Sequence, residues 1–140
     1  MASLVYNSCL EDLARGAIDF DTDTFKMMLV TAAYTPNKDT DLKRSAVTSE
    51  VANGNGYTTG GATVTATVSK DTANDRLDVT FSNPSWPAST FTARAGVIYK
   101  SRGGASTADE LVAYVDFGAD VTATNGTFSV TLSSPLRFQN

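Results

Sequence analysis

The chain contains no histidine, and its 140 residues include one cysteine and one tryptophan. Lacking histidine, it has no His-based triad, no His-ligated metal and no side chain whose ordinary pKa lies near neutrality. The single thiol, Cys9, excludes an internal disulfide. Without a histidine partner it reads as a small apolar group, buried or half-buried, rather than a nucleophile. No run approaches the roughly 18 consecutive apolar residues of a membrane span, and the N-terminus lacks the basic and apolar regions of a secretory signal. A soluble chain made in a reducing cytoplasm is the expectation. Positive charge is also scarce, with 11 Lys and Arg against 15 Asp and Glu, a net −4. Nucleic-acid affinity rests on clustered cations, so neither nucleic acid nor membrane is an expected partner.

What is present has the length of one domain, residues 1–140, which buries roughly 70% of the unfolded chain's surface and needs no staples. Leu10, Leu13, Ala14 and Ala17 recur at helical spacing and predict a helix within 4–17, with Asn7 or Ser8 as its cap and Gly16 as its stop. Residues 1–6 then form an extended N-terminal arm. Phe25 to Thr31 is an almost continuous apolar run, a strand either packed on both faces or lying in a sheet interface, with its methionines in the core. Residues 33–61 are crowded with Pro, Asn, Asp and Gly and form a long excursion in which only 45–51 has room for a short element. Excursions of this length are usually functional or disordered.

From Ala62 the period is two. Val64, Ala66 and Val68 alternate with threonines, and Leu77, Val79 and Phe81 alternate with Asp78 and Thr80. The turn Asp71-Thr72-Ala73-Asn74-Asp75 joins these runs as a hairpin. Phe91, Ala93, Ala95, Val97 and Tyr99 define one face of a further strand. Leu111, Ala113, Val115 and Phe117 do the same, with Tyr114 and Asp116 facing outward. Phe128, Val130 and Leu132 repeat the pattern after a turn at Thr124-Asn125-Gly126, and Leu136 and Phe138 close the series. The fold class is all-β, a jelly roll or β-sandwich with a short N-terminal helix and about seven or eight strands.

Chemical motifs fail one by one. Asp19, Asp21 and Asp23 imitate the first ligands of a calcium loop, but Thr24 stands where glycine is required and Val30 where a bidentate glutamate is required. A non-standard calcium site and a solvated acidic turn remain as its two readings. Gly103-Gly104 is followed by no Gly-Lys-Ser/Thr and opens no helix, so it reads as a mobile hairpin connection. Asp109 and Glu110 are adjacent in a strand pattern and point to opposite faces, which argues against a shared proton. Asn125-Gly126-Thr127 matches a glycosylation acceptor and reads as a turn. No metal, cofactor or enzymatic activity is expected.

Surface chemistry is left to aromatics and cations. Trp86, held between Pro84 and Pro87, is either a lid on the core or a rigid interface anchor. Tyr57 among glycines is an exposed-aromatic candidate. Lys38, Lys43 and Arg44 in the excursion, with Arg94 and Lys100 on one strand face, are either ordinary solvated charges or a local basic patch for an acidic partner. Tyr6 in the arm and Arg102 in the glycine-rich connection complete the candidate interface.

The segments 7–13, 19–26, 83–104 and 109–118 together resemble the jelly-roll cement, or decoration, proteins of tailed-bacteriophage capsids. The resemblance extends over nearly the whole chain, and its motifs are structural. It implies a compact β module on the capsid exterior, made in the bacterial cytoplasm, with the major capsid protein and copies of itself as partners and no catalytic residues. Two other roles stay open, a tail or head–tail structural component and a carbohydrate-binding jelly roll using Trp86, Tyr57 and Tyr99 as platforms.

Overall fold

The computed structural model describes residues 3–140. The strands in chain order are β1 (Leu4–Val5), β2 (Phe25–Val30), β3 (Ala62–Val64), β4 (Ala66–Asp71), β5 (Arg76–Phe81), β6 (Ser85–Lys100), β7 (Leu111–Ser129) and β8 (Leu136–Gln139). A helix, α1 (Asn7–Ala14), follows β1, and 3-10 turns occupy Arg44–Ala46 and Ser106–Ala108. A five-stranded sheet, β1-β7-β6-β2-β3, packs against a three-stranded sheet, β4-β5-β8, with every pairing antiparallel. The expected β-sandwich with one short helix is therefore present.

The β2 run is apolar throughout because both its faces are covered. Successive strand side chains alternate, so Phe25, Met27 and Leu29 enter the core between the sheets. Met28 and Val30 enter a second core on the opposite face, beside Tyr6, Tyr34, Val97, Tyr99 and Tyr114. Part of that outer core is supplied by the excursion, which lays Tyr34 and Val47 across the sheet. The excursion is thus a structural layer. At its far end Gly61 has φ +81, and a Cβ there would overlap the Met27 carbonyl, so glycine alone fits.

Several local expectations need correction. Residues 4–6 are no free arm: Leu4 and Val5 pair with Tyr114 and Ala113, and Tyr6 is fully buried. Residues 1–2 lie outside the described residues. Helix α1 begins after Tyr6 without a side-chain cap. Asn7 Nδ2 instead donates to Asp39 Oδ1 at 2.6 Å, which ties the helix to the excursion. Cys9 is buried, but Leu10 is 49% exposed, so the apolar stripe is narrower than its spacing implies. Gly16 does end the helix, at φ +79, while Ala17 N–H returns to the Asp12 carbonyl at 2.7 Å.

Neither does Asn125-Gly126 make a hairpin turn. Strand β7 runs on through it, with Asn125 at φ 47 and Gly126 opposite Ser89 of β6. The register of β6 against β7 shifts four times, including between Ala93 and Ala95 and between Ile98 and Tyr99. The shift between Ala93 and Ala95 changes which parity of β6 points inward, whereas the one at Ile98/Tyr99 places its extra residue on β7. Ala93 and Ile98 therefore belong to the inter-sheet core, whereas Ala95, Val97 and Tyr99 belong to the outer one. Tyr114 does face outward from the inter-sheet core, but the excursion covers it and leaves it 3% exposed.

Candidate interaction surface

The sequence places Asp109 and Glu110 together at the start of an apolar strand, and the fold buries both, at 1% and 2% exposure. Each carboxylate takes its own cations. Arg44 Nε donates to Asp109 Oδ2 at 2.7 Å, and the Arg102 backbone N–H donates to Asp109 Oδ1 at 2.8 Å. Arg102 Nε donates to both oxygens of Glu110, at 2.8 and 3.1 Å, and Lys43 Nζ stands 3.6 Å from it. The Arg44 guanidinium also lies over the Tyr99 ring, 5.1 Å from its centroid. Backbone bonds reinforce the side chains: Arg44 N–H donates to the Asp109 carbonyl at 2.9 Å, and Lys43 bridges Glu110. This cluster clamps the excursion to the 101–110 connection.

Two of the patch residues, Lys43 and Arg44, are thus brought together with the interface candidate Arg102, but as counter-ions to buried carboxylates and not as free positive charge. Arg94 is likewise paired, with Asp116 at 3.2 Å. Lys38 is exposed, and its carbonyl accepts the Asn7 N–H at 3.0 Å. The Asp19–Asp23 segment closes on itself. Asp23 Oδ2 accepts the Asp19 N–H at 2.8 Å, Asp19 Oδ1 accepts the Asp21 N–H at 2.9 Å, and Lys100 Nζ stands 2.8 Å from Asp23. Among the described residues no cluster of three or more His, Cys, Asp or Glu side chains could hold a metal ion.

Burial alone would raise the Glu110 carboxyl, yet hydrogen bonds from Arg102 and the charge of Lys43 hold it below the ordinary carboxylate range. A depressed pKa contributes stability that is complete above the unfolded-state value, about 4.3 for glutamate, and is lost as the pH falls through the folded-state value. Asp12, raised by burial, works in the opposite direction. Urea denaturation should show stability falling as the pH drops below about 4.3, and Glu110→Gln should flatten that fall. Equal slopes in the two proteins would assign it to Asp19, Asp71, Asp78 and Asp116, whose carboxyls are also held low.

The aromatic candidates are interior. Tyr57, expected to be exposed, is 2% accessible. Its hydroxyl donates to Glu50 Oε1 at 2.7 Å and accepts the Leu29 N–H at 3.0 Å. Glycines around it let the loop fold back, and Gly60 N–H donates to the same Glu50 oxygen at 2.6 Å. Tyr57→Phe should cost about 1–3 kcal/mol, since it leaves a buried N–H and a carboxylate short of a partner. Faster exchange of the Leu29 amide would accompany that loss, and an unchanged rate would contradict it. Trp86 is 5% exposed, with ring centroids 6.2 Å from Tyr57 and 6.0 Å from Phe128. Phe91 and Phe117 extend this cluster through Phe128, at 4.9 and 6.1 Å. In the free chain Trp86 therefore occupies the position of a lid.

Sequence reasoning missed the Asp109–Glu110 clamp and the Tyr6–Tyr34–Asp41 chain, in which Tyr34 Oη lies 2.8 Å from both Tyr6 Oη and Asp41 Oδ2. The one available signal was the pair of adjacent acids leading into Leu111-Val112, where alternation requires one of them to face inward. No family model matches the chain, and no curated protein or solved structure is significantly similar to it.

Proposed function

We propose that this protein is a structural virion component that binds the outside of a tailed-phage capsid and stabilises the shell of major capsid protein. The reading rests on the resemblance of segments 7–13, 19–26, 83–104 and 109–118, and the observation that favours it is the placement of the aromatics. Tyr57, Trp86 and Tyr99 are buried, so the platforms named for sugar binding are committed to the core. Attachment to a shell would then rest on many weak contacts summed across a lattice. The role is non-enzymatic, and with a net charge of −4 the protein faces away from packaged DNA.

Capsids assembled without the protein should keep their geometry but release DNA at lower temperature or in low-magnesium buffer, and the purified protein should restore resistance. Binding to isolated tails and not to heads would overturn the capsid reading in favour of a tail component.

A further inference from the structure

Beyond Asp116, whose N–H donates to the Ser3 hydroxyl, strand β7 has a strand neighbour on one side only among the described residues. Strand β1 covers Ala113 and Tyr114, and from Val121 to Ser129 the partner is β6 alone among the described strands, residues 117–120 bulging out of that ladder. Natural sheets blunt such an edge with lysine, proline, inward charge or brevity. Here the chain from Gly118 to Asn125 carries no proline and a single charge, Asp120, and from Val121 to Ser129 it carries none. Val121 is 41% exposed although its partner across the ladder, Ala93, is fully buried. Beside it runs a groove of about 320 Å³ whose apolar lining includes Val115, Phe117, Val121, Phe128 and Val130.

We propose that the β7 edge between Gly118 and Asn125 is an interface for a second copy of this chain, paired antiparallel about a two-fold axis at Thr122. The edge is self-complementary in that register. Opposed residues in an antiparallel pair share a face, so Thr122 meets the second copy's Thr122, Val121 meets its Ala123, and Asp120 meets its Thr124. No like charges oppose one another, which matters for two copies that each carry −4. The second strand caps the groove and covers Val121, giving an isologous contact that closes on itself. The positive φ of Gly118 and of Asn125 bends the strand at both ends and limits the pairing to the residues between them. The inference rests on the edge alone and holds whether or not the protein sits on a capsid.

Sedimentation of the full chain should show a reversible dimer. Its dissociation constant should change by no more than about twofold between roughly 0.1 and 1 M salt, because no ion pair is involved. Val121→Lys, at an exposed position, should weaken it at least about tenfold with unchanged circular dichroism. Thr122→Cys should form a disulfide-linked dimer on mild oxidation, since Cys9 is buried and cannot compete, whereas Thr67→Cys on the β4 edge should not. A chain that stays monomeric throughout, or a dimer broken at β4 and not by Val121→Lys, would overturn the proposal. If the chain alone is monomeric and Val121→Lys lowers its capsid occupancy, the occupant is the shell and not a second copy, while the capsid reading survives.

Discussion

Replacing Trp86 with alanine is expected to destabilise the isolated domain by about 3–5 kcal/mol, the range for removing a large buried aromatic and leaving a cavity. The indole is the shared neighbour of Tyr57 and Phe128, so its loss opens the end of the inter-sheet core where Phe91 and Phe117 also meet. Denaturant unfolding measures the effect directly. Emission of the native protein, with this single tryptophan, should be blue-shifted and resistant to quenchers. Red, quencher-accessible emission together with an unchanged melting temperature would place the indole in solvent and refute the packing described here.

A loss of similar size is expected for Arg44→Leu. Asp109 is 1% exposed, and without Arg44 its carboxylate keeps only the Arg102 backbone N–H. Breaking a buried pair from one side costs about 3–5 kcal/mol, because the remaining charge is desolvated and uncompensated. The double variant Arg44→Leu/Asp109→Leu should recover much of that loss. Arg44→Lys should recover less than a conservative exchange suggests, since lysine gives up the planar contact with Tyr99. Stability loss below about 1 kcal/mol for Arg44→Leu would show a solvated surface pair and remove the clamp as a structural device.

The parts of this fold legible in the sequence are those governed by local period. Strand β2 announces itself by its apolar run, the β4–β5 hairpin by alternation around Asp71–Asp75, and the end of α1 by Gly16. Alternation misled wherever a bulge intervened. Phe91 to Tyr99 reads as one face, but the shift at Ala93/Ala95 sends Ala95, Val97 and Tyr99 to the other core. Among the candidate surface residues, type alone suggested exposure for Tyr57, Lys43 and Arg44. Their partners lie in other segments, in one case 65 positions away, and a single sequence does not reveal pairings of that range. The same limit hid Tyr6, whose hydroxyl meets Tyr34 across 28 positions.

The pairing of Leu4 with Tyr114, reinforced by the Ser3 hydroxyl accepting the Asp116 N–H at 2.9 Å, also sets a timetable. The first strand can dock only after more than a hundred further residues have been made, and the outer core that buries Tyr6 stays incomplete until then. Closing so long a loop before any contact rewards it makes folding slow, on the order of milliseconds to seconds for β topologies of this kind. During synthesis the early segments wait with Phe25 to Val30 uncovered, and it is the arrival of β6 and β7, emerging in succession, that ends their exposure to other nascent chains.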